Sequence, residues 1–232
     1  MPKPVLRASL VIASVALVAA CSGDEKSVSD DRTPEEVMEL AATTLDETSG
    51  VQLSLSSEGL PEGKTVLKAA EGIGTHAPAF DGEITVVLAG TDFKVPVVAV
   101  DGTVWAQIPL TPGWSDVDPA DYGAPDPLQL MSTDAGFSSL LTDTTGLEEG
   151  ESVRGGENNA EVLTEYTGTV SADVVKNVIP SAEGEFDVTY TVTSDGELRE
   201  AVLDGVFYPD TDPMTYTVGF DDYGTEKEIT AP

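Results

Sequence analysis

From Val51 onward the chain alternates apolar and polar residues with period two: Val51, Leu53 and Leu55 are separated by Gln52, Ser54 and Ser56. Successive side chains of a strand point to opposite faces, so such a run hides one apolar face and must pair into a sheet covered on that side. The pattern returns over 64–75, 81–88, 93–100, 103–108, 161–170, 185–193, 197–207 and 214–220. Gly90-Thr91, Asp101-Gly102 and Asp195-Gly196 lie between these runs. Residues that tolerate positive φ fold consecutive strands back antiparallel, which predicts a meander.

Helical signals interrupt the strands at few places. Thr33-Pro34-Glu35-Glu36 combines an N-cap hydroxyl, proline in the first turn and a glutamate three residues after the cap, the arrangement of a capping box. Val37, Met38, Ala41 and Leu45, with neighbouring Leu40, continue it as an apolar stripe to about Asp46. Gly50 is positioned to end the helix in the left-handed conformation. Asp126-Pro127 opens a short turn, and 134–142 and 171–178, the latter ended by Pro180, predict helices laid on one sheet face.

Before the fold comes an export signal. Lys3 and Arg7 precede an apolar stretch from Ala8 to Ala20, too short to span a bilayer, and Val18-Ala19-Ala20-Cys21 has the order of a bacterial lipobox. Residues 1–20 are therefore expected to be a cleaved signal peptide. The single cysteine is expected to be acylated, and two acyl chains on its sulfur are enough for stable anchoring at the outer face of the cell membrane. Residues 22–32 are polar and without apolar period, which predicts a flexible tether, and 33–232 a single domain. The formal charge of −31 opposes nucleic acid and anionic surfaces, and no Lys/Arg cluster offsets it. The acids are dispersed, as on a solvated surface.

Candidates for catalysis are thin. His76 is the only histidine and sits beside Gly74 and Pro78, where an exposed loop position is expected. Acylation removes the thiol, and zinc on His76 with carboxylates alone would be an unusual ligand set. Asp116 with Asp118, or Asp210 with Asp212, has the composition of a carboxylate pair or calcium site, but neither lies in a twelve-residue calcium loop and the second reads as a turn. Ser132 and Ser138 lack a visible base. No enzyme activity, metal or cofactor is expected. Trp105 and Trp114 offer either sugar-stacking surfaces or buried strand aromatics.

Several segments share an order with a known family. They are Val100-Asp101-Gly102-Thr103-Val104-Trp105-Ala106, Gly113-Trp114-Ser115-Asp116, Asp126-Pro127, the stretch from Phe137 to Leu141, Gly168 to Val174 followed by Ile179-Pro180, and Tyr223-Gly224 with Ile229-Thr230. In this order behind a lipobox, the chain resembles the LppX/LprG family of actinobacterial lipoproteins from about Thr33 to its C-terminus. High acidity and residues 181–184 depart from the pattern. The resemblance implies an α+β fold: a strongly bent antiparallel sheet, or half-barrel, with a few helices over its concave face enclosing an apolar cavity for acyl chains. It makes Val51, Leu53, Leu55, Ile84, Val86, Leu88, Phe93, Val95, Val97, Ala99, Phe137, Leu140 and Leu141 the cavity wall. It further implies a carrier of a multiply acylated lipid or glycolipid across the envelope, working with a membrane lipid transporter; the acidity opposes casual association, and a monomer is expected. On the residues alone the same apolar faces suit a packed core, and an anchored interaction module without a lipid ligand is the competing reading.

The lipobox yields a direct expectation. Cys21→Ser removes the sulfur that carries the anchor, so the protein should leave the membrane fraction in a salt wash. Retention there would require an uncleaved apolar segment or another anchor.

Overall fold

The computed structural model describes residues 27–29, 31–122 and 124–232; the leader and Cys21 lie outside the described residues. Helix α1 spans Pro34–Glu47 and is closed by the expected capping box: Glu36 N–H donates to the Thr33 hydroxyl, and Thr33 N–H to the Glu36 carboxylate. Its end differs from expectation. Thr48 is the C-cap in extended backbone, and Gly50 already opens the first strand. Glycine is needed there for close approach, because a β-carbon would sit 2.7 Å from the Thr225 carbonyl oxygen and 2.9 Å from that of Gly74.

The strands are β1 (Gly50–Glu58), β2 (Val66–Thr75), β3 (Ala79–Leu88), β4 (Thr91–Val100), β5 (Thr103–Ala106), β6 (Ser115–Val117), β7 (Thr145–Gly155), β8 (Glu161–Ser171), β9 (Glu183–Thr193), β10 (Leu198–Val206) and β11 (Met214–Asp221). They pair antiparallel in one open sheet of order β6-β5-β4-β3-β2-β1-β11-β10-β9-β8-β7. The expected meander is thus two meanders, spliced where β1 pairs with β11. The edge strands β6 and β7 are consecutive in sequence but at opposite ends of the sheet. The segment joining them, with α2 (Pro127–Leu130) and α3 (Phe137–Thr142), must therefore cross from one edge to the other. A fourth helix, α4 (Ala172–Val175), links β8 to β9.

Two strands were not legible as such. β6 is three residues long, and β7 reads TGLEEGESVRG, exposed along most of its length and broken by two register shifts. Edge strands carry charge and irregularity because a clean apolar edge would recruit other chains. The turns are as expected in kind. Asp101-Gly102 has positive φ at both residues, as a two-residue hairpin requires. The β3–β4 loop uses Ala89-Gly90, one residue earlier than the expected Gly90-Thr91.

The concave face has two different halves. Over β8–β10, α1 presses Val37, Met38, Ala41 and Leu45 into a solid core with Tyr166, Tyr190, Leu198 and Val192, all buried. Burial pushes the phenols of Tyr190 and Tyr216 well above the usual range. At the other half β2 and β3 carry glycine where side chains would stand. Gly72 and Gly82 face each other across the strand pair, and the Phe80 ring fills the place of both missing β-carbons. A bulge at Lys68 frees the backbone of Leu67 from the ladder. Two tyrosines take it up: Leu67 N–H donates to the Tyr208 oxygen at 3.2 Å, and the Tyr216 hydroxyl donates to the Leu67 carbonyl at 2.8 Å. Since that uses the Tyr216 proton, Tyr208 donates to Tyr216 across their 2.8 Å contact.

The chain also meets the fold earlier than the expected tether boundary. Val28 is buried in the core, and the Ser27 hydroxyl lies 3.0 Å from that of Thr164 on β8. Residues 27–29 are therefore docked rather than free.

The Gly72–Gly82 crossing gives a stability expectation. A β-carbon at Gly82 would lie 2.3 Å from the Glu71 carbonyl oxygen and 2.7 Å from Gly72 Cα, both backbone atoms. Gly82→Ala should cost about 3 kcal/mol in urea unfolding, the upper end for forcing extra volume into packed structure. An unchanged midpoint would mean that the strands do not approach this closely.

Candidate functional site

Period two sends Ile84, Val86 and Leu88 of β3 and Phe93, Val95 and Val97 of β4 to the concave face, opposite Glu83 and Lys94, which pair at 2.5 Å on the convex side. Leu53 and Leu55 of β1, Val104 and Ala106 of β5, and Val218 and Phe220 of β11 join them. On the concave side β2 contributes Ala70, with Gly72 and Gly74 beyond it. No helix stripe fills this half, and a cavity of about 520 Å³ remains, within the ~300–1,000 Å³ range of small-molecule sites. The floor is aromatic: Phe137 of α3 meets Phe220 edge-on at 4.9 Å between ring centres, beside Leu140.

The cavity opens toward the β3–β4 hairpin. Along β3, exposure rises from 3% at Phe80 to 49% at Leu88. The rest of the mouth is formed by the segment after β5 and by the 3-10 turn Pro119–Tyr122. Thr111 N–H donates to the Ile108 carbonyl at 3.0 Å, and Leu110 has φ of 68°. With Pro109 in the preceding position only a type II turn fits, and its third residue is ordinarily glycine. Leucine there costs roughly 1–2 kcal/mol of backbone strain, and its side chain is fully exposed. Among the described residues, the only charged side chain in the lining is Asp121, at the mouth, in a chain with 42 acidic residues.

Of the expected wall residues, Leu53, Leu55, Ile84, Val86, Leu88, Phe93, Val95, Val97, Phe137 and Leu140 line this cavity. Val51, Ala99 and Leu141 do not: each is 0% exposed, packed in the core. Val51 and Ala99 lie toward the closed end of their strands. Leu141 is turned about 100° from Leu140 around α3, away from the face shared by Phe137 and Leu140. Sequence reasoning missed the second layer: Val175, Val178 and Ile179 around α4, and the proline-rich mouth from Pro109 to Pro127. Loop residues have no period to reveal which way they face.

The catalytic candidates are dispersed. His76 is half-buried rather than exposed, and its Nε2–H donates at 2.6 Å to the Leu45 carbonyl at the end of α1. Asp118 accepts from Ala120 N–H and Asp126 from Leu128 N–H, each capping a short helical turn. Ser138 is buried, and Ser132 accepts from Asp134 N–H. Asp210 lies at positive φ in the turn before β11. Among the described residues, no group of three or more His, Cys, Asp or Glu side chains is placed to hold a metal ion. Trp105 lies between Val104 and Ala106 and so faces the convex side. There it and Trp114 pack with Ala79, Val98, Val100 and Ile229, away from the cavity.

Comparison with known proteins gives a consistent match. The model of the LppX_LprAFG lipoprotein family matches residues 33–230. The chain is 27% identical over 203 residues to the lipoarabinomannan carrier protein LprG of Mycobacterium tuberculosis, covering 85% of this chain and 83% of the relative. The Mycobacterium leprae protein of the same name is 28% identical over 200 residues, with 82% and 81% covered. Among solved structures, LprF from Mycobacterium bovis shares the fold at a TM-score of 0.69 and 13% identity over 86% of this chain and 96% of its own. Mycobacterium tuberculosis LppX matches at 0.62 and 14% identity, over 85% and 98%.

The strained turn can be tested without a ligand. Leu110→Gly relieves the left-handed conformation and removes only an exposed side chain, so the variant should be about 1 kcal/mol more stable in urea unfolding. A loss of stability would mean that the side chain is packed.

Proposed function

Because the chain belongs to the LppX_LprAFG lipoprotein family, we propose that it binds the acyl chains of a lipid or glycolipid in the β1–β6 cavity and carries it through the cell envelope. The observation that carries this reading is an open-mouthed cavity of about 520 Å³ whose only charged lining residue, among the described residues, is Asp121. Acyl chains offer no hydrogen bonds, so a wall of leucine, valine, isoleucine and phenylalanine recognises them by area alone. Each methylene moved from water contributes about 0.8 kcal/mol, and one long chain supplies more than ~10 kcal/mol before the entropy of immobilisation is subtracted. The head group then lies at the mouth, near Asp121 and Tyr122. The names of the mycobacterial relatives favour an acylated glycolipid as the class of ligand.

In this reading Cys21 is the acylated residue that holds the mature chain to the outer face of the membrane, beginning at residue 21. The protein acts there as a monomeric carrier without catalysis, exchanging its cargo with a membrane lipid transporter.

Val86→Trp tests the cavity. Val86 lines it from mid-β3 and is half-buried, so an indole has room to project into space otherwise taken by an acyl chain. Expected are a melting temperature close to wild type and a clear loss of co-purifying lipid in the mass spectrum of an organic extract. In a close-packed wall the same change would cost roughly 1–3 kcal/mol. A wild-type extract without lipid, together with an unfolded variant, would overturn the carrier reading in favour of a packed interaction module.

A further inference from the structure

The N-terminal segment and the mouth of the cavity lie at opposite ends of the fold. Residues 27–29 are seated at the β7–β8 edge. Val28 is buried in the core, the Ser27 hydroxyl lies 3.0 Å from that of Thr164 and 3.4 Å from that of Ser152, and the Ser29 hydroxyl donates to the Glu149 carboxylate at 2.5 Å. The pairing register carries the row of Thr164 across the sheet through Val192, Leu198, Asp221, Gln52 and Ile73 to Asp81. That row lies at the closed end. Leu88, which forms the lip with Leu110 and Tyr122, stands seven residues further along β3, about 23 Å at the rise of a strand. Six strand spacings between β8 and β3 add a sideways offset.

An acylated Cys21 precedes Ser27 by six residues, whose full extension is about 20 Å. With residues 27–29 seated, that tether is shorter than the distance from its exit to the lip, so the fold cannot stand mouth-down on the leaflet that holds it. Released as far as Thr33, the N-cap of α1, the tether is twelve residues long and reaches about 40 Å. That length permits the pose. The hold on the segment is also weak. Of its three residues only Val28 is buried, and burying one valine favours the seated state by about tenfold to a hundredfold. The Tyr166 hydroxyl, beside Ser29, is buried with no hydrogen-bond partner among the described residues, a cost that release of the segment to water removes. We infer that residues 27–29 are a releasable latch on the tether: seated, they keep the mouth off the anchoring membrane; released, they let it reach that membrane and exchange lipid there. The inference rests on the acylation of Cys21 and the carrier function proposed above.

The test uses the acylated mature protein in phosphatidylcholine vesicles that contain a fluorescent diacyl lipid. Ser27→Cys with Thr164→Cys puts two thiols in place of hydroxyls 3.0 Å apart, and an acylated Cys21 cannot compete for them. Oxidised, this variant should extract lipid from its own vesicle about tenfold or more slowly than after reduction with dithiothreitol. Both forms should load equally from detergent micelles. A Gly/Ser stretch of about twelve residues inserted after Ser22 lengthens the full reach by about 40 Å and should return the oxidised form to the reduced rate. Val28→Ser, which loosens the segment without a disulfide, should extract about tenfold faster than wild type. Wild type that does not load from detergent overturns the carrier function, and wild type that washes off the vesicles overturns the anchor; the latch falls with either. If wild type loads and stays anchored but the oxidised and reduced forms share one rate, or Val28→Ser matches wild type, the latch is wrong and the carrier stands. An oxidised form that also fails to load from detergent would make the segment part of the cavity's own opening, and one that stays slow on the longer tether would make its effect independent of reach. Each of these overturns the inference.

Discussion

Two glycines facing each other across β2 and β3 set the shape of everything around them. A side chain at Gly72 or Gly82 would collide with backbone of the paired strand and with the Phe80 ring. With hydrogen at both positions the strands bring their backbones close on the inner side, and one aromatic ring covers the gap. Gly74 adds a third bare position, where a β-carbon would strike Met131 and Leu53. Inner-face volume is thus removed where curvature needs room, and side chains from β1–β6 converge with those of β10 and β11 on one space. The bulge at Lys68 breaks the ladder on the same strand, and the Tyr208–Tyr216 pair satisfies the backbone it releases.

The asymmetry of the concave face follows from which half receives a helix. A capped fourteen-residue helix with a continuous apolar stripe can fill a sheet face, and α1 does so over β8–β10. The other half is roofed by α2, by the six-residue α3 and by a proline-rich crossing segment, none of which offers enough side-chain volume to reach the opposite wall. Aliphatic side chains facing empty space lose dispersion contacts, a cost that an apolar guest restores.

The sheet was legible because its alternation is strong: nine of the eleven strands follow runs of period two, and β1 is the clearest. The cavity was not legible from the same signal. Period two tells which way Ile84 or Ala99 faces, but not whether another side chain lies across from it, and Ala99 has its space filled where Ile84 does not. The family resemblance supplied what periodicity could not. Polar β7 was missed because an edge strand conceals itself by design, and the lip because Leu110 sits in a turn where propensity argues for another residue. The tryptophans show the reverse limit: Trp105 is placed on its face by its neighbours Val104 and Ala106, yet its size had invited a role in recognition.

The splice between the two meanders bears on how such a chain comes to be folded. Gln52 pairs with Asp221 and Glu58 with Thr215, so the strands at the centre of the sheet are among the last to find each other in sequence terms. As the chain emerges N-terminus first, β2 to β6 can zip as local hairpins, but one edge of β1 stays open until almost the entire polypeptide is available. Closing so long a loop is slow, and an unpaired edge is sticky while it waits. Serines at positions 54 and 56 keep that strand polar on its outer side. The inner wall, with β11 supplying Tyr216, Val218 and Phe220, is completed only when the last strand docks. Until that strand docks, the nascent chain has no finished apolar pocket that could trap a guest.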